Sequence, residues 1–499
     1  MARFARVRGG WRWAALVAAL LVVGLLSLTR YESYASLYDA EYVGASTCGT
    51  CHTQVYARWK GSPHDRMTRP AAAQGSILGD FEQASWTLPE PARHKPGDAE
   101  PAARMYREGA DHYMALRDPK SGAMVPFRID YVVGFQYRQT YLTREPGGVL
   151  RRLPLEWSFA RGEYFPYWNF QEASEPSVED LWQQMKSLNS AWNLFCARCH
   201  TTHLQIAAKD AGHTRADTRW VDDGIACEAC HGPGSQHVNY FAHNYVNRLV
   251  AFVNNRVRGQ PVAFIANPSK LSRGQDLSTC ARCHGPDISR ATTEIYRVYE
   301  PGYSREGRIN DLSPYFKQFP LQPGRTAETV EVWQDGSPKG IGMVFRSFIE
   351  SACYEKAEVR CYDCHDPHDN KQATRPGLLE PSAASNGYCL ACHAELRERV
   401  AEHTRHRPDA PGSYCYDCHM SRRIVNLAAG TSKWTRTHTM SHAPDPSLTL
   451  TFGAAGSPNA CNECHADRSP AWAAERVEEW TRSRIAGRAP PPRGAALAP

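Results

Sequence analysis

The feature that most constrains this 499-residue chain is a short pattern, Cys-x-x-Cys-His, that occurs eight times. The copies are Cys48, Cys51 and His52; Cys196, Cys199 and His200; Cys227, Cys230 and His231; and Cys280, Cys283 and His284. They continue with Cys361, Cys364 and His365; Cys389, Cys392 and His393; Cys415, Cys418 and His419; and Cys461, Cys464 and His465. The spacing is the attachment signature of c-type haem. Two thiols three positions apart reach the two vinyl groups of one porphyrin and form thioethers, and the adjacent histidine supplies the proximal nitrogen to the iron. A disulfide framework has no reason to repeat one spacing eight times. A zinc knuckle does not require histidine after every second cysteine, and thioredoxin-type redox sites do not come in eights. The expected cofactor is haem c, eight copies, covalently attached.

Twelve of the 20 histidines remain after the proximal ones: His64, His94, His112, His203, His213, His237, His243, His368, His403, His406, His438 and His442. The supply permits a second histidine on every iron without forcing it. Such ligation holds the iron low-spin and lowers its potential relative to methionine ligation. His368 in CHDPH and His237 in CHGPGSQH stand too close to their own motifs to reach the far face of the same haem, so each is expected to ligate a neighbour. His64 closes WKGSPH after the first motif. His403 and His406 sit at i, i+3 in HTRH between two motifs, and His438 lies in RTHTMSH before the last. These six are the expected distal metal ligands. His203, His243 and His442 stand evenly between ligand and bystander. His94 and His112, in polar, turn-rich sequence, read as surface residues.

Residues 13–28, WAALVAALLVVGLLSL, form an uncharged apolar run behind an arginine-rich start. The run is long for a signal-peptide core and short for a spanning helix, and the flanking charge follows the positive-inside rule. It is read as an N-terminal membrane anchor, or else as a signal removed near Ser33–Ala35. Either places residues 36–499 outside the cytoplasm, on the periplasmic side. The formal charge of +6 owes five charges to Arg3, Arg6, Arg8, Arg12 and Arg30, which face no acid within residues 1–30. No basic patch is left to argue for nucleic acid. Haem propionates turn the exported part acidic, so the expected partners are redox proteins with positively charged surfaces, among them a membrane electron donor or acceptor.

The organisation expected is an N-terminal signal or anchor (1–35), a first haem segment (36–80), a β-rich insert (81–170), a seven-haem domain (171–470) and a C-terminal helix with a disordered tail (471–499). In the insert, residues 104–108, 112–117, 124–135 and 149–157 are rich in Tyr, Val, Phe and Ile, and turns at Gly109–Asp111, Asp118–Gly122 and Glu145–Gly148 separate them. Around the other seven motifs the porphyrins themselves are expected to form the core, with short helices and loops over them. Residues 470–485 read as a closing helix.

Taken together, VGASTCGTCH followed by WKGSPH, GIACEACHGPGSQH, CYDCHDPHDN, and PNACNECHAD followed by WAAERVEEW resemble the multihaem cytochromes of the cytochrome c-554/c-prime type, whose CxxCH repeats are doubled. The resemblance covers roughly residues 42–480. It implies a mostly α and irregular multihaem cytochrome c fold wrapped around stacked haems, here with an inserted antiparallel β region. It also implies His64, His237 and His368 as distal ligands by position, and His438 less directly. Two departures stand out. No tetratricopeptide module follows, and the seventeenth cysteine, Cys353 in SACYEKAEVRCYDCH, stands where many relatives carry Met.

Two functions follow from the array. One is an electron carrier, conducting between a membrane partner and an acceptor. The other is a multihaem oxidoreductase acting on a small nitrogen or sulfur compound (hydroxylamine, nitrite or tetrathionate) at one open haem, with the haems of His200, His284 and His365 as the candidates. Every motif ends in His, which excludes the lysine-ligated form found in pentahaem nitrite reductases. No Ser-His-Asp set, phosphate loop or carboxylate pair stands out.

Overall fold

The computed structural model describes residues 7–28, 40–166, 176–242, 245–258, 264–285, 333–339, 343–369, 386–424, 435–440 and 446–486. His243, His442, the Ser33–Ala35 segment and the tail from residue 487 lie outside them. Helix makes up about 42% and antiparallel strand about 18%, so the fold is mixed, with helix in the majority.

The strands form two main antiparallel sheets. The first is four-stranded, β2 (Ala84–Trp86), β3 (Ala103–Glu108), β4 (Asp111–Arg117) and β5 (Met124–Arg128), in sequence order. The second runs β1 (Thr68–Pro70), β6 (Tyr131–Val133), β7 (Arg138–Arg144), β9 (Leu155–Ser158) and β10 (Glu163–Pro166), with β8 (Leu150–Arg152) pairing β7. Four strands of these sheets lie outside the segments singled out in the sequence: β1, which joins the sheet from the segment after the first motif, and β2, β7 and β10. β7, RQTYLTR, is buried along most of its length, so it lacks the one-sided alternation that marks a half-exposed strand.

The two sheets share one apolar core, in which Met105, Met114, Leu116, Tyr141, Leu153 and Leu155 are wholly buried. Helix Val178–Lys186 lays Leu181 and Met185 against it. Ser177 and Asp180 cap that helix reciprocally, with the Ser177 hydroxyl accepting from the Asp180 N–H at 3.2 Å. The Trp182 indole N–H donates to the Arg117 carbonyl at 2.8 Å. At the β7–β8 turn, Gly148 has φ +84, and a Cβ there would stand 2.4 Å from the Ala216 carbonyl oxygen, so only glycine fits.

Elsewhere the apolar clusters are small, such as Leu277, Ala281, Phe345, Phe348 and Ile349. Val7–Leu28 is a helix of 22 residues. Among the described residues, however, no helix is long and apolar enough to cross a membrane, so the expected anchor gains no support. The closing helix is present as Pro470–Ala486.

Because Leu155 is wholly buried between the sheets, Leu155→Ala should destabilise the β region by about 2–5 kcal/mol. Hydrogen-exchange mass spectrometry would read this as faster exchange in β7 and β9; unchanged protection would contradict the packing described.

Candidate functional site: motif turns and opposed imidazoles

Each motif is a single tight turn. His52, His365, His393 and His465 each donate their backbone N–H to the carbonyl of their motif's first cysteine, all at 2.9 Å. That i to i+4 bond sets both thiols and the imidazole on one turn, as thioether attachment and axial ligation of one porphyrin require. All 17 cysteines are free of disulfides. Among the described residues no group of three or more His, Cys, Asp or Glu converges as a zinc site would need.

The structure sets six motif histidines opposite a second histidine. His52 faces His237 with ring centroids 6.2 Å apart, and His64 faces His284 at 6.4 Å. His231 faces His368 at 6.4 Å, and His365 faces His438 at 6.2 Å. His419 faces His403 and His465 faces His406, both at 6.2 Å. These gaps are too wide for ring stacking, yet nearly constant. Two metal–imidazole bonds of about 2.0 Å, with half of each ring added, put trans imidazoles roughly 6 Å apart. The gaps therefore fit one iron each.

The rings are also oriented for it. Nδ1–H of His231 donates to the Ala266 carbonyl at 2.7 Å, and that of His406 to the Thr404 carbonyl at 2.6 Å. His64 Nδ1–H donates to the Pro367 carbonyl at 3.1 Å, and His368 Nδ1–H to the Asp366 carboxylate at 3.1 Å. A proton fixed on Nδ1 leaves the lone pair on Nε2, the ligating atom, and the acceptor behind it fixes the ring plane.

The other histidines meet different neighbours. His203 stacks on Tyr42 at 3.7 Å, His112 meets the edge of Phe81 at 5.3 Å, and His213 meets Phe195 at 5.0 Å. His94 is an exposed residue. Two motif histidines, His200 and His393, face no second histidine among the described residues. The sequence singled out His200, His284 and His365 as candidates for an open iron. The structure places His64 opposite His284 and His438 opposite His365, whereas His393, like His200, has no histidine opposite it among the described residues. Cys353 precedes the fifth motif in sequence, yet its thiol lies within electrostatic reach of Cys392, and Cys389 feels it. It therefore neighbours the sixth motif rather than only the fifth. That placement depends on tertiary packing and has no sequence signal.

The motifs are nested. The Cys48 and Cys227 thiols lie within side-chain reach of each other, as do those of Cys199 and Cys283, Cys280 and Cys361, and Cys389 and Cys415. Cys230 lies near Cys280 and Cys283, Cys364 near Cys389, and Cys418 near Cys461. In space the motifs thus run first, third, fourth, fifth, sixth, seventh, eighth, and the second branches from the fourth.

A buried carboxylate ties the start of this run. Glu228, 1% exposed, accepts backbone N–H groups of Val43 at 2.9 Å, Gly44 at 2.8 Å and Gly234 at 2.7 Å. The second motif leans on the β region: the Thr68 hydroxyl donates to the His200 carbonyl at 2.7 Å, and the Asn193 carboxamide accepts from the Leu150 N–H at 3.0 Å. Near Cys196 stand Arg138, Arg152 and Glu156. Arg138 pairs with Glu156 at 3.0 Å, and Glu156 also accepts from the Thr140 hydroxyl at 2.6 Å.

These turns and opposed rings are the arrangement of a multihaem c-type cytochrome. Residues 355–398 match the family model of the doubled CXXCH motif, and residues 167–232 that of cytochrome c554 and c-prime. The multiheme cytochrome MtrA of Shewanella baltica (strain OS185) is 27% identical over 220 residues, 40% of this chain and 53% of that protein. The chain thus spans about half the length of the curated relative it matches. Among solved structures, the outer cell wall cytochrome OcwA aligns over 89% of this chain and 88% of its own, at 17% identity and a TM-score of 0.47.

Burial holds the imidazoles of His200 and His438 down to about 4, against an ordinary value of about 6.5. Burial thus favours the neutral imidazole, the form that ligates a metal.

Proposed function

We propose that the chain is an extracytoplasmic octahaem electron carrier. Its porphyrins are attached at the eight motifs and wrapped by short helices, and the array receives electrons from one redox partner, at the membrane or beyond it, and delivers them to another. His52, His200, His231, His284, His365, His393, His419 and His465 are the proximal ligands in this reading, and His64, His237, His368, His403, His406 and His438 the distal ones. The observation that carries it is the unbroken adjacency of motif sulfurs from Cys48 to Cys461, which sets each attachment turn beside the next. Bound haem supplies a one-electron iron couple that two imidazoles hold low-spin. The protein's part is to fix the rings, keep water from the irons and hold the sites close. The N-terminal apolar run serves export, before haem attachment.

A second reading, an oxidoreductase with one open iron, is favoured by one observation. His200 faces no second histidine among the described residues, lies beside the Arg138–Glu156 pair and sits on the branch rather than the run. That setting suits a small ligand at the end of a side path.

One set of measurements separates the two. Intact mass should give eight haems, and low-temperature EPR of the oxidised protein should give low-spin signals from the six irons set between two histidines; the carrier reading further requires the irons of His200 and His393 to be low-spin through a sixth ligand beyond those six histidines, with no carbon monoxide binding on reduction. A high-spin signal that binds carbon monoxide, lost in the double variant Cys196→Ala/Cys199→Ala and kept in Cys389→Ala/Cys392→Ala, would move the assignment to the oxidoreductase. A mass short of eight haems would sink the octahaem carrier. His438→Met should convert one low-spin signal and raise one midpoint potential, on the order of 0.1 V within the ~0.8 V that axial ligands command.

A further inference from the structure

The loop after the fifth motif, Asp366-Pro367-His368, holds two imidazoles that serve two other motifs. The Asp366 carboxylate, 2% exposed for the residue, accepts from His368 Nδ1–H at 3.1 Å and from the His368 backbone N–H at 2.9 Å. Its other oxygen pairs with Arg58 at 2.9 Å. Arg58 belongs to helix Thr53–Trp59, which follows the first motif, and its side chain is 51% exposed. One residue on, the Pro367 carbonyl accepts from His64 Nδ1–H at 3.1 Å. His368 faces His231 of the third motif and His64 faces His284 of the fourth. These two motifs adjoin through Cys230, Cys280 and Cys283.

The two acceptors are not equivalent. A carboxylate behind an imidazole pulls harder on the Nδ1 proton than a neutral carbonyl does, pushing electron density toward Nε2 and making the ring a stronger donor to ferric iron. Stronger donation favours the ferric state and lowers the reduction potential. We infer that Asp366 is a positioning residue that sets the iron of the third motif below that of the fourth in potential, so that this loop gives the run a preferred direction at that step. With haem bound, the iron that His231 and His368 would hold would give up one electron, going from ferrous to ferric, and the iron that His284 and His64 would hold would take it, going from ferric to ferrous, with no proton or ligand exchanged. Arg58 moderates the step, because its charge competes for the same carboxylate.

The inference rests on the ligand assignment above, and the experiment separates the two. The full-length holoprotein is titrated spectroelectrochemically, with EPR following each low-spin signal. Asp366→Asn, which keeps an acceptor oxygen without the charge, should raise one midpoint and leave the others in place. Arg58→Gln, at a largely exposed site, should lower that same midpoint by freeing the carboxylate's full charge for His368, and it keeps the test open if Asp366→Asn binds too little haem. Potentials that stay put in both variants, or that move together across several haems, overturn the inference. His368→Ala should turn one low-spin signal high-spin. If it does so while Asp366→Asn shifts nothing, only the directional step fails; if it changes no signal, the ligand assignment itself is wrong.

Discussion

Everything in this molecule answers to one distance, the gap of a little over six ångströms that six pairs of imidazoles hold open. A gap that wide between two rings is not a packing solution, because side chains left to themselves close on one another until they touch. Here the closure is resisted from behind. Carbonyls of Ala266, Thr404 and Pro367 and the carboxylate of Asp366 fix the Nδ1 side of four rings in three of the pairs. The polypeptide around the motifs is accordingly built of short turns and small apolar clusters, with its largest side-chain core displaced into the β region.

That division of labour explains what could be read along the chain. The motifs are legible because thioether chemistry dictates residues that are close in sequence. The histidines that face them were recognisable as a set, because each lies in a turn or short helix flanking a motif. Which ring meets which was not recognisable. His64 crosses from the first segment to the fourth motif, His368 returns from the fifth to the third, and His438 comes back from beyond the seventh to the fifth. Each crossing is a tertiary fact with no local signature. The same limit hid β1, whose three residues gain strand character only by pairing with Val133, Val132 and Tyr131. It also hid the nearness of Cys353 to the sixth motif.

The β region is more than an insert in the chain. Through Thr68 and Asn193 it carries the second motif, and through the Arg138–Glu156 pair it places charge near Cys196. A sheet makes a stiffer support than the short turns that bear the other motifs. The stiff support is spent on the one motif that stands off the main run.

The crossing of ligands has a consequence for biosynthesis. A chain emerging from its N-terminus presents Cys48, Cys51 and His52 long before His237 exists, whereas His64 already waits when His284 arrives. His368 must appear before the third motif, made earlier, can be closed. Maturation therefore cannot finish one site before starting the next. The histidines made first therefore stand without their opposite rings until later segments fold back over them, and His406 against His465 and His438 against His365 close near the end of synthesis. In a truncated chain those rings would lack their partners, so completion of the polypeptide is the condition for closing all six pairs.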